Sequence, residues 1–91
     1  MREAQLDTVL RKRVQRMGGM CERLAPITKG IPDRLVLLPS GLYFVELKTD
    51  TGKLSEAQKV WHRRARDLGA NVEVLYGLED IMNWLEKVGE L

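Results

Sequence analysis

The chain has 91 residues, which gives room for one hydrophobic core, so we expect a single domain over residues 1–91. A composition of 44% hydrophobic and 31% charged residues, with a net charge of +2, is typical of a folded globular protein and excludes a disordered one. The charged amino terminus excludes a signal segment and no apolar run approaches the roughly 18 residues of a membrane helix, so we expect a cytoplasmic protein without a membrane partner.

The first predicted element is a helix that ends at Gly18-Gly19, because glycine accepts the left-handed conformation that commonly follows a helix. Its apolar residues recur at helical spacing, at Leu6, Val9, Leu10, Val14 and Met17. Glu3 lies three residues before Leu6 and seven before Leu10, so we expect it on the apolar stripe. An inward carboxylate needs a partner or a metal ion, although one at the end of a helix can also reach water.

Three strands are predicted next. The first, "MCERLAP", carries Cys21, which we interpret as a small buried hydrophobic residue; a single cysteine excludes an internal disulfide and a cysteine-based zinc site. "ITKGIPD" is a loop, since glycine frees the backbone and Pro32 keeps the preceding residue extended. "RLVLL" and "LYFVELK" are rich in β-branched, aliphatic and aromatic residues, and the intervening "PSG" predicts the turn of a β-hairpin.

A second helix, a last strand and a third helix complete the chain. Ser55 is suited to cap the second helix, and Gln58 completes a capping box. This helix carries an apolar stripe, on which we expect Trp61 to pack in the core; the stripe is formed by Ala57, Val60, Trp61, Ala65 and Leu68. "NVEVLY" is the last strand, and the final helix, from about Leu78, buries Ile81, Trp84, Leu85 and Val88. The order α-β-β-β-α-β-α predicts an α/β fold with one mixed sheet flanked by helices.

Two acids, Asp33 and Glu46, are predicted to meet across the hairpin. If the turn has two residues, counting outward places them opposite each other, with Cβ atoms roughly 5 Å apart; a three-residue turn makes them diagonal neighbours at roughly 7–8 Å. Lys48 lies on the same strand face as Glu46, because side chains alternate along a strand.

A cation between the two acids would remove the repulsion that like charges cause at facing positions. Oxygen ligands favour Mg²⁺, which usually takes one or two carboxylates and keeps waters for a substrate phosphate. Lys48 beside such an ion would position or deprotonate the attacking water, or offset charge in the transition state. The structural alternative is a cross-strand ion pair between Lys48 and Asp33.

Charge is unevenly distributed along the sequence. Residues 1–18 and 53–67 each carry five bases and two acids, whereas residues 71–91 carry five acids and one base. This pattern indicates one face for a polyanion, although two ordinary solvated helix faces explain it equally well. The candidate phosphate contacts are Arg11, Lys12, Arg13, Arg16, Lys59, Arg63, Arg64 and Arg66 on the helices, with Lys29 and Arg34 beside the acids. His62 lies on the basic stripe of the second helix. It could contact phosphate, act as a general base, or have no part in the reaction.

The stretches "GIPDRLVLL", "FVELK" and "GKLSEAQ" resemble the VRR-NUC domain (virus-type replication-repair nuclease), a branch of the PD-(D/E)xK nuclease superfamily. An acid-x-Lys triplet alone is expected about once by chance in a chain of this composition. The elements Gly-x-Pro-Asp, Glu-x-Lys and Leu-Ser-x-x-Gln, in this order and spacing, are highly specific together. The resemblance covers essentially the whole chain, as in the stand-alone phage and bacterial members, and implies a restriction-endonuclease-like fold.

The resemblance also implies roles for the matching residues. It makes metal ligands of Asp33, Glu46 and the backbone carbonyl of Leu47, and catalytic residues of Asp33, Glu46, Lys48, Glu3 and Gln58. Glu3 would be the family's first-helix acid, acting near the metal. Gln58 would be the glutamine that faces the site, which competes with its role in a capping box because one side chain does not make both contacts fully.

The implied reaction is Mg²⁺- or Mn²⁺-dependent hydrolysis of DNA phosphodiesters by metal-activated water, leaving 5′-phosphate and 3′-hydroxyl ends. Small family members resemble Holliday junction resolvases, so the implied protein is a homodimer that cuts four-way junctions in a bacterial cell or a phage-infected host. A two-fold dimer places two cuts symmetrically. We hypothesise that the interface lies on the last helix, where Met82, Trp84 and Leu85 offer more apolar surface than a small sheet covers.

Two other functions are compatible with the same residues. The first is a non-catalytic nucleic-acid-binding module in which the charges are structural; only the enzyme would need a divalent metal and lose activity, but not DNA binding, in Lys48→Ala. The second is a nuclease for ordinary duplex or flap DNA, which cleavage patterns on junction, flap and duplex substrates would distinguish.

Overall fold

A computed structural model of the protein describes residues 1–89. Its elements are α1 (Glu3–Arg16), β1 (Met20–Arg23), β2 (Arg34–Leu38), β3 (Gly41–Lys48), α2 (Glu56–Asp67), β4 (Val72–Tyr76) and α3 (Gly77–Val88). This is the predicted order, so the α/β class is confirmed. Within residues 1–89, none of the helices combines the length and apolarity needed to cross a membrane.

The four strands form one mixed sheet in the order β1-β2-β3-β4. The strands β1 and β3 both run antiparallel to β2, whereas β4 runs parallel to β3, with α2 as the connection between them. The first strand is shorter than predicted. It ends at Arg23. The amide of the next residue, Leu24, still donates to the carbonyl of Asp33 at 3.0 Å, but Pro26 has no N–H with which to continue the hydrogen-bond ladder.

The hairpin of β2 and β3 has the shorter of the two turns considered from the sequence. Leu38 pairs with Gly41, so Pro39 and Ser40 form a two-residue turn. The same register pairs Arg34 with Val45. It therefore brings Asp33, the residue before β2, opposite Glu46.

The hydrophobic core lies between one face of the sheet and the helices α1 and α3. Its buried members include Leu6, Leu10 and Val14 of α1, Val36, Tyr43, Val45, Leu47 and Leu75 of the sheet, and Ile81, Trp84 and Leu85 of α3. The apolar stripe predicted for α1 is thus confirmed. Cys21 is also buried, and desolvation raises the pKa of its thiol, as expected of a structural cysteine.

Two of the three residues of the dimer surface hypothesised on α3 are not available to a second copy. Trp84 and Leu85 are buried within the chain, and the ring of Trp84 packs edge-on against Tyr43 with centroids 5.3 Å apart. Some apolar surface remains on α3, because Leu78 is 40% exposed and Met82 is half-buried. The burial predicted for Ile81, Trp84 and Leu85 is confirmed.

The apolar stripe predicted for α2 is covered only in part. The only buried residue of this helix is His62, while Val60 is 50% and Leu68 88% exposed. The helix lies on the other face of the sheet, where the ring of Trp61 contacts Phe44 at a centroid distance of 5.4 Å. Periodicity shows which residues share a stripe, but α1 and α3 already fill the core face. Val60 and Leu68 are therefore left at the surface, whereas the other three residues of the stripe are half-buried.

Candidate active site

Asp33, Glu46 and Lys48 lie together at the open end of the hairpin. Alternation along β3 directs Glu46 and Lys48 away from the core, to the face where α2 lies. The Oδ1 atom of Asp33 accepts a hydrogen bond from the amide of Leu47 at 3.3 Å, and Lys48 Nζ lies 3.7 Å from Glu46 Oε2. The structure therefore brings the two acids and the lysine into one cluster. Within it, Lys48 pairs with Glu46 of its own strand rather than across the hairpin with Asp33.

Glu46 has an unusual environment for a carboxylate. It is only 4% exposed, and among the described residues its Oε1 atom is buried without a hydrogen-bond partner. Burial and the neighbouring charge of Asp33 raise the pKa of Glu46 to about 7, although the charge of Lys48 acts in the opposite direction. An unpaired carboxylate oxygen beside a second carboxylate is the donor set that a hard divalent cation needs.

The residues present fit a cation that takes few protein ligands. No group of three or more His, Cys, Asp or Glu side chains suited to a metal occurs in the described part of the chain. Asp33 and Glu46 would therefore supply two carboxylates, with the backbone at Leu47 as a further donor. Mg²⁺ commonly binds through one or two carboxylates and fills its other positions with water and substrate phosphate.

Arg34 is not a DNA contact, contrary to the sequence-based prediction. It is 2% exposed, its Nε donates to Asp7 Oδ1 at 2.7 Å, and its Nη1 lies 2.9 Å from Asp33 Oδ2. Burial lowers the pKa of Arg34, but the hydrogen bond to Asp7 and the charge of Asp33 outweigh burial and raise it overall. Alternation along β2 places Arg34 on the core side with Val36, and this signal was available in the sequence.

The acid of α1 that reaches the hairpin is Asp7, which the sequence reasoning did not single out. Glu3, the predicted candidate, is exposed in the first turn and makes no hydrogen bond or ion pair with Asp33, Glu46 or Lys48. Asp7 lies one turn further along and beside the buried Leu6, so that it faces the sheet. The expectation that Glu3 points inward is therefore wrong for this structure.

Gln58 takes part in the capping box and lines the cleft as well. The amide of Ser55 donates to Gln58 Oε1 at 2.8 Å, and the amide of Gln58 donates to Ser55 Oγ at 3.1 Å. The same cleft is bordered by Asp33 and Glu46. The side-chain carbonyl oxygen of Gln58 thus serves the helix cap, while the residue also borders the cleft, and its role at the site stays a prediction.

The loop between β1 and β2 forms the opposite wall of this cleft. Its lining residues are Pro26, Thr28, Lys29, Gly30 and Ile31. Gly30 has a φ of +91°, and a Cβ atom there would collide with the backbone carbonyl of Ala57 at the start of α2. Glycine at this position allows the loop to approach α2 closely enough to bound the cleft.

The predicted DNA contacts differ in their accessibility. Lys12, Lys29, Lys59 and Arg63 are exposed, although Lys59 is 3.5 Å from Glu56, and these four stay predictions. Arg66 is exposed but donates to the carbonyl of Val72 at 3.1 and 2.8 Å through two nitrogens. Arg11 is partly exposed and donates to the carbonyl of Cys21 at 2.6 Å. The last two therefore anchor structure with at least part of their guanidinium groups.

The prediction that His62 contacts DNA is wrong, because this residue of α2 is buried and only 1% exposed. Both of its ring nitrogens are buried without a hydrogen-bond partner in the described residues. Burial, followed by the charges of Arg66 and Lys48, lowers the pKa of His62 and favours the neutral ring. A neutral buried imidazole does not contact phosphate, so we assign it to the packing of α2 on the sheet.

Three comparisons with known proteins agree. The family model of the VRR-NUC domain matches residues 2–79. The phage protein named "Putative nuclease p44", from Acyrthosiphon pisum secondary endosymbiont phage 1, is 38% identical over 77 residues, covering 82% of this chain and 83% of that protein. A solved structure described as a VRR_NUC domain superposes with a TM-score of 0.84 and 32% sequence identity, covering 92% of this chain and 94% of the other.

Proposed function

Because the chain belongs to the VRR-NUC family and is a nuclease domain, we propose that it is a Mg²⁺- or Mn²⁺-dependent endonuclease that hydrolyses DNA phosphodiesters. The observation that carries the metal dependence is the buried, unpartnered Oε1 of Glu46 beside Asp33. A carboxylate in this position is unfavourable without a cation, which explains why its pKa rises. This chemistry is that of the PD-(D/E)xK nucleases, which the motif residues resemble.

Each residue of the cluster has a defined task in this proposal. Asp33 and Glu46 hold the ion, and the hydrogen bond from Leu47 to Asp33 fixes the orientation of one carboxylate. A divalent ion bound there supplies Lewis-acid charge for the phosphate and lowers the pKa of a water molecule. Lys48 sits at the edge of the same cluster, where it orients that water or stabilises negative charge on the phosphate. Gln58, which lines the cleft, would donate to a phosphate oxygen through its amide nitrogen.

A cleavage assay tests the proposed activity directly. Labelled DNA is incubated with Mg²⁺, with Mn²⁺ or with EDTA, for the parent protein and for Asp33→Asn, Glu46→Gln and Lys48→Ala. We expect cleavage only with the divalent metals and a loss of about a hundredfold or more in each variant, as is usual when an acid–base or charge-stabilising group is removed. Glu22→Gln, which removes an exposed acid on β1, is the matched control.

Binding must be measured alongside cleavage. Because Ca²⁺ usually supports binding by oxygen ligands without demanding octahedral geometry, DNA affinity is compared in Ca²⁺. The proposal requires Lys48→Ala to keep most of its DNA affinity while losing cleavage. Metal-independent binding with no cleavage by the parent protein would instead identify a nucleic-acid-binding module.

The preferred substrate in this proposal is branched DNA, cut by a homodimer. The support is an apolar groove on α2, beside the cleft, which the fold leaves uncovered. Thr28, Lys29 and Ala57 line both the groove and the cleft, so a second copy seated on the groove would bring two active sites close together. Two neighbouring, symmetry-related sites suit the symmetric strands of a four-way junction.

The charges along the groove are complementary to a second copy of the same helix. Glu56 and Arg64 both line the groove, and the half-exposed Val60 lies midway between them, four residues from each. A two-fold axis near Val60 would therefore pair Glu56 of each copy with Arg64 of the other. It would also align the two helix dipoles antiparallel.

Substrate panels distinguish the branched-DNA proposal from its alternative. Equal concentrations of four-way junction, flap and linear duplex are cleaved under the same metal and salt conditions. We expect symmetric paired cuts in the junction and slow cleavage of the duplex. Preferential cutting of duplex or flap would leave the nuclease assignment intact and replace the junction as the substrate.

A further inference from the structure

The most unusual buried group outside the acid pair is the guanidinium of Arg34. Buried charges are unfavourable unless they are paired, and Arg34 has two anionic partners, Asp7 and Asp33. It bonds one oxygen of each rather than both oxygens of either. Its Nη2 atom is buried and has no hydrogen-bond partner in the described residues. Arg34 is thus shared between an acid of α1 and an acid of the candidate metal site.

Both oxygens of Asp33 are constrained by this arrangement. Oδ2 lies 2.9 Å from Arg34 Nη1, and Oδ1 accepts from the amide of Leu47 at 3.3 Å. A carboxylate has about four lone-pair positions, so each oxygen keeps capacity for a cation. The orientation of Asp33 is therefore fixed before a cation arrives, but the positive charge of Arg34 opposes that cation.

The geometry points to Asp7 as a positioning residue for the metal site, which it controls through Arg34. By holding Arg34 Nε at 2.7 Å, Asp7 offsets the guanidinium charge and keeps the unused Nη2 from turning onto Asp33. Without the Asp7 charge, Arg34 has only Asp33 as an acidic partner in this part of the structure, and a two-pronged pair between them would occupy the oxygens that the cation needs. This inference rests on the proposed metal-dependent function of Asp33 and Glu46.

A purely structural role for Asp7 predicts a different outcome. In that case the ion pair only fastens α1 to the sheet, and its loss would lower stability without changing the cation affinity of the folded protein. A positioning role predicts weaker cation binding even where stability is unchanged. Metal affinity and unfolding in EDTA therefore separate the two roles.

The test uses Asp7→Asn, which keeps the shape of the side chain and removes its charge. Mn²⁺ binding is measured by calorimetry without DNA, and the variant is expected to bind about tenfold more weakly, the effect of one partly screened charge. In cleavage assays the metal concentration for half-maximal rate rises by the same factor, while the rate at saturating metal stays within about threefold. Asp7→Glu, which retains the charge, is expected to restore affinity to within about threefold of the parent. Asp67→Asn, at the far end of α2, is the matched control.

A second pair of variants covers the case in which Asp7→Asn does not fold. Arg11, which is partly exposed, also lies near Asp7, with Nη2 3.7 Å from Oδ1. Removing this competitor in Arg11→Gln leaves Asp7 to Arg34 and is expected to tighten Mn²⁺ binding about two- to threefold relative to Lys12→Gln, a neighbouring exposed base.

The outcomes assign any failure to one proposal or the other. If the parent binds Mn²⁺ and Asp7→Asn, once folded, binds it equally well, the positioning role is overturned and the nuclease proposal stands. Equal affinities of Arg11→Gln and Lys12→Gln also overturn the positioning role. If the parent binds no divalent ion, the metal-dependent function fails, and with it the inference that depends on it.

Discussion

The two oxygens of the Glu46 carboxylate have different surroundings. Oε2 lies 3.7 Å from Lys48 Nζ, whereas Oε1 is buried without a hydrogen-bond partner in the described residues. In the absence of metal, the anionic form of Glu46 is therefore only half satisfied, and repulsion from Asp33 adds to its desolvation. A site of this kind favours a cation, because a bound cation would offset both the desolvation of the Glu46 carboxylate and its repulsion from Asp33.

The first prediction concerns the pH dependence of stability in EDTA. The pKa of Glu46 is raised from its ordinary value of 4.5 to about 7 by folding, so the folded state binds more protons than the unfolded state between these pH values. The free energy of unfolding should then fall as pH rises through this window, by on the order of 3 kcal/mol for a shift of this size. Glu46→Gln removes this dependence and should be more stable than the parent above pH 7. Chemical unfolding from pH 5 to pH 8 measures both.

His62 opposes this trend, which makes the parent–variant difference more informative than either curve. Its folded pKa is lowered, so its contribution to stability is present above its ordinary pKa of 6.5 and is lost as pH falls through the folded value. Because both proteins contain His62, subtracting the two profiles isolates Glu46. Parallel profiles for the parent and Glu46→Gln would show that Glu46 titrates normally, and the cation argument would lose its main support.

At the scale of elements, the cleft depends on the contact between the loop before β2 and the start of α2. The capping box of Ser55 and Gln58 fixes where α2 begins. Gly30 then allows the loop to pack against the carbonyl of Ala57. Two local features that look like routine helix and turn chemistry thus determine the distance between the cleft walls.

The second prediction compares Gly30→Ala with Gly69→Ala. Both glycines have positive φ, +91° and +95°, but a Cβ atom meets the Ala57 carbonyl at Gly30 and open space at Gly69. Gly69→Ala should therefore lose only about 1 kcal/mol through backbone strain. Gly30→Ala should lose clearly more, at least about 2 kcal/mol, because the loop must also move. Chemical denaturation checks the difference, and equal losses would mean that the loop shifts freely.

How much was predictable from the sequence depended on whether the information was local. Counting along two adjacent strands sufficed to predict that Asp33 and Glu46 converge, with either of two turn lengths; the structure has the shorter turn, which places them opposite each other. The cap of α2 followed from Ser55 and Gln58 alone. These features required no knowledge of how the layers pack.

Features that depend on packing were predicted poorly. His62 is buried, although it was predicted among the DNA contacts, and the burial of Trp84, which was predicted, leaves it unavailable to the interface also hypothesised there. Helical periodicity shows which residues share a face, but not whether a sheet, solvent or another copy covers that face. Arg34 is an intermediate case. Strand alternation indicates that it lies on the core side, although it was predicted as a DNA contact, but nothing local indicates its acidic partner Asp7, which is 27 residues away in the sequence.

At the scale of the whole molecule, the two faces of the sheet are covered unequally. One face carries α1 and α3 over a continuous core, whereas the other carries α2 with a single buried residue and an uncovered apolar groove. A domain of 91 residues buries a relatively small fraction of its surface and benefits from a partner. The groove beside the candidate active site is where a second copy would add to the core.

The last prediction is that this groove holds a two-fold dimer centred on Val60. Val60→Glu would place two buried carboxylates face to face at the axis, so sedimentation should show a monomer where the parent is a dimer. Leu42→Glu, at an exposed apolar residue on β3, is the control and should leave the dimer intact. Glu56→Lys should weaken the dimer by setting Lys against Arg64 of the other copy, and Glu56→Lys combined with Arg64→Glu should restore it, since the swapped charges are again complementary. A parent that stays monomeric at high concentration would refute the dimer, whereas a Val60→Glu protein that still dimerises would place the interface elsewhere.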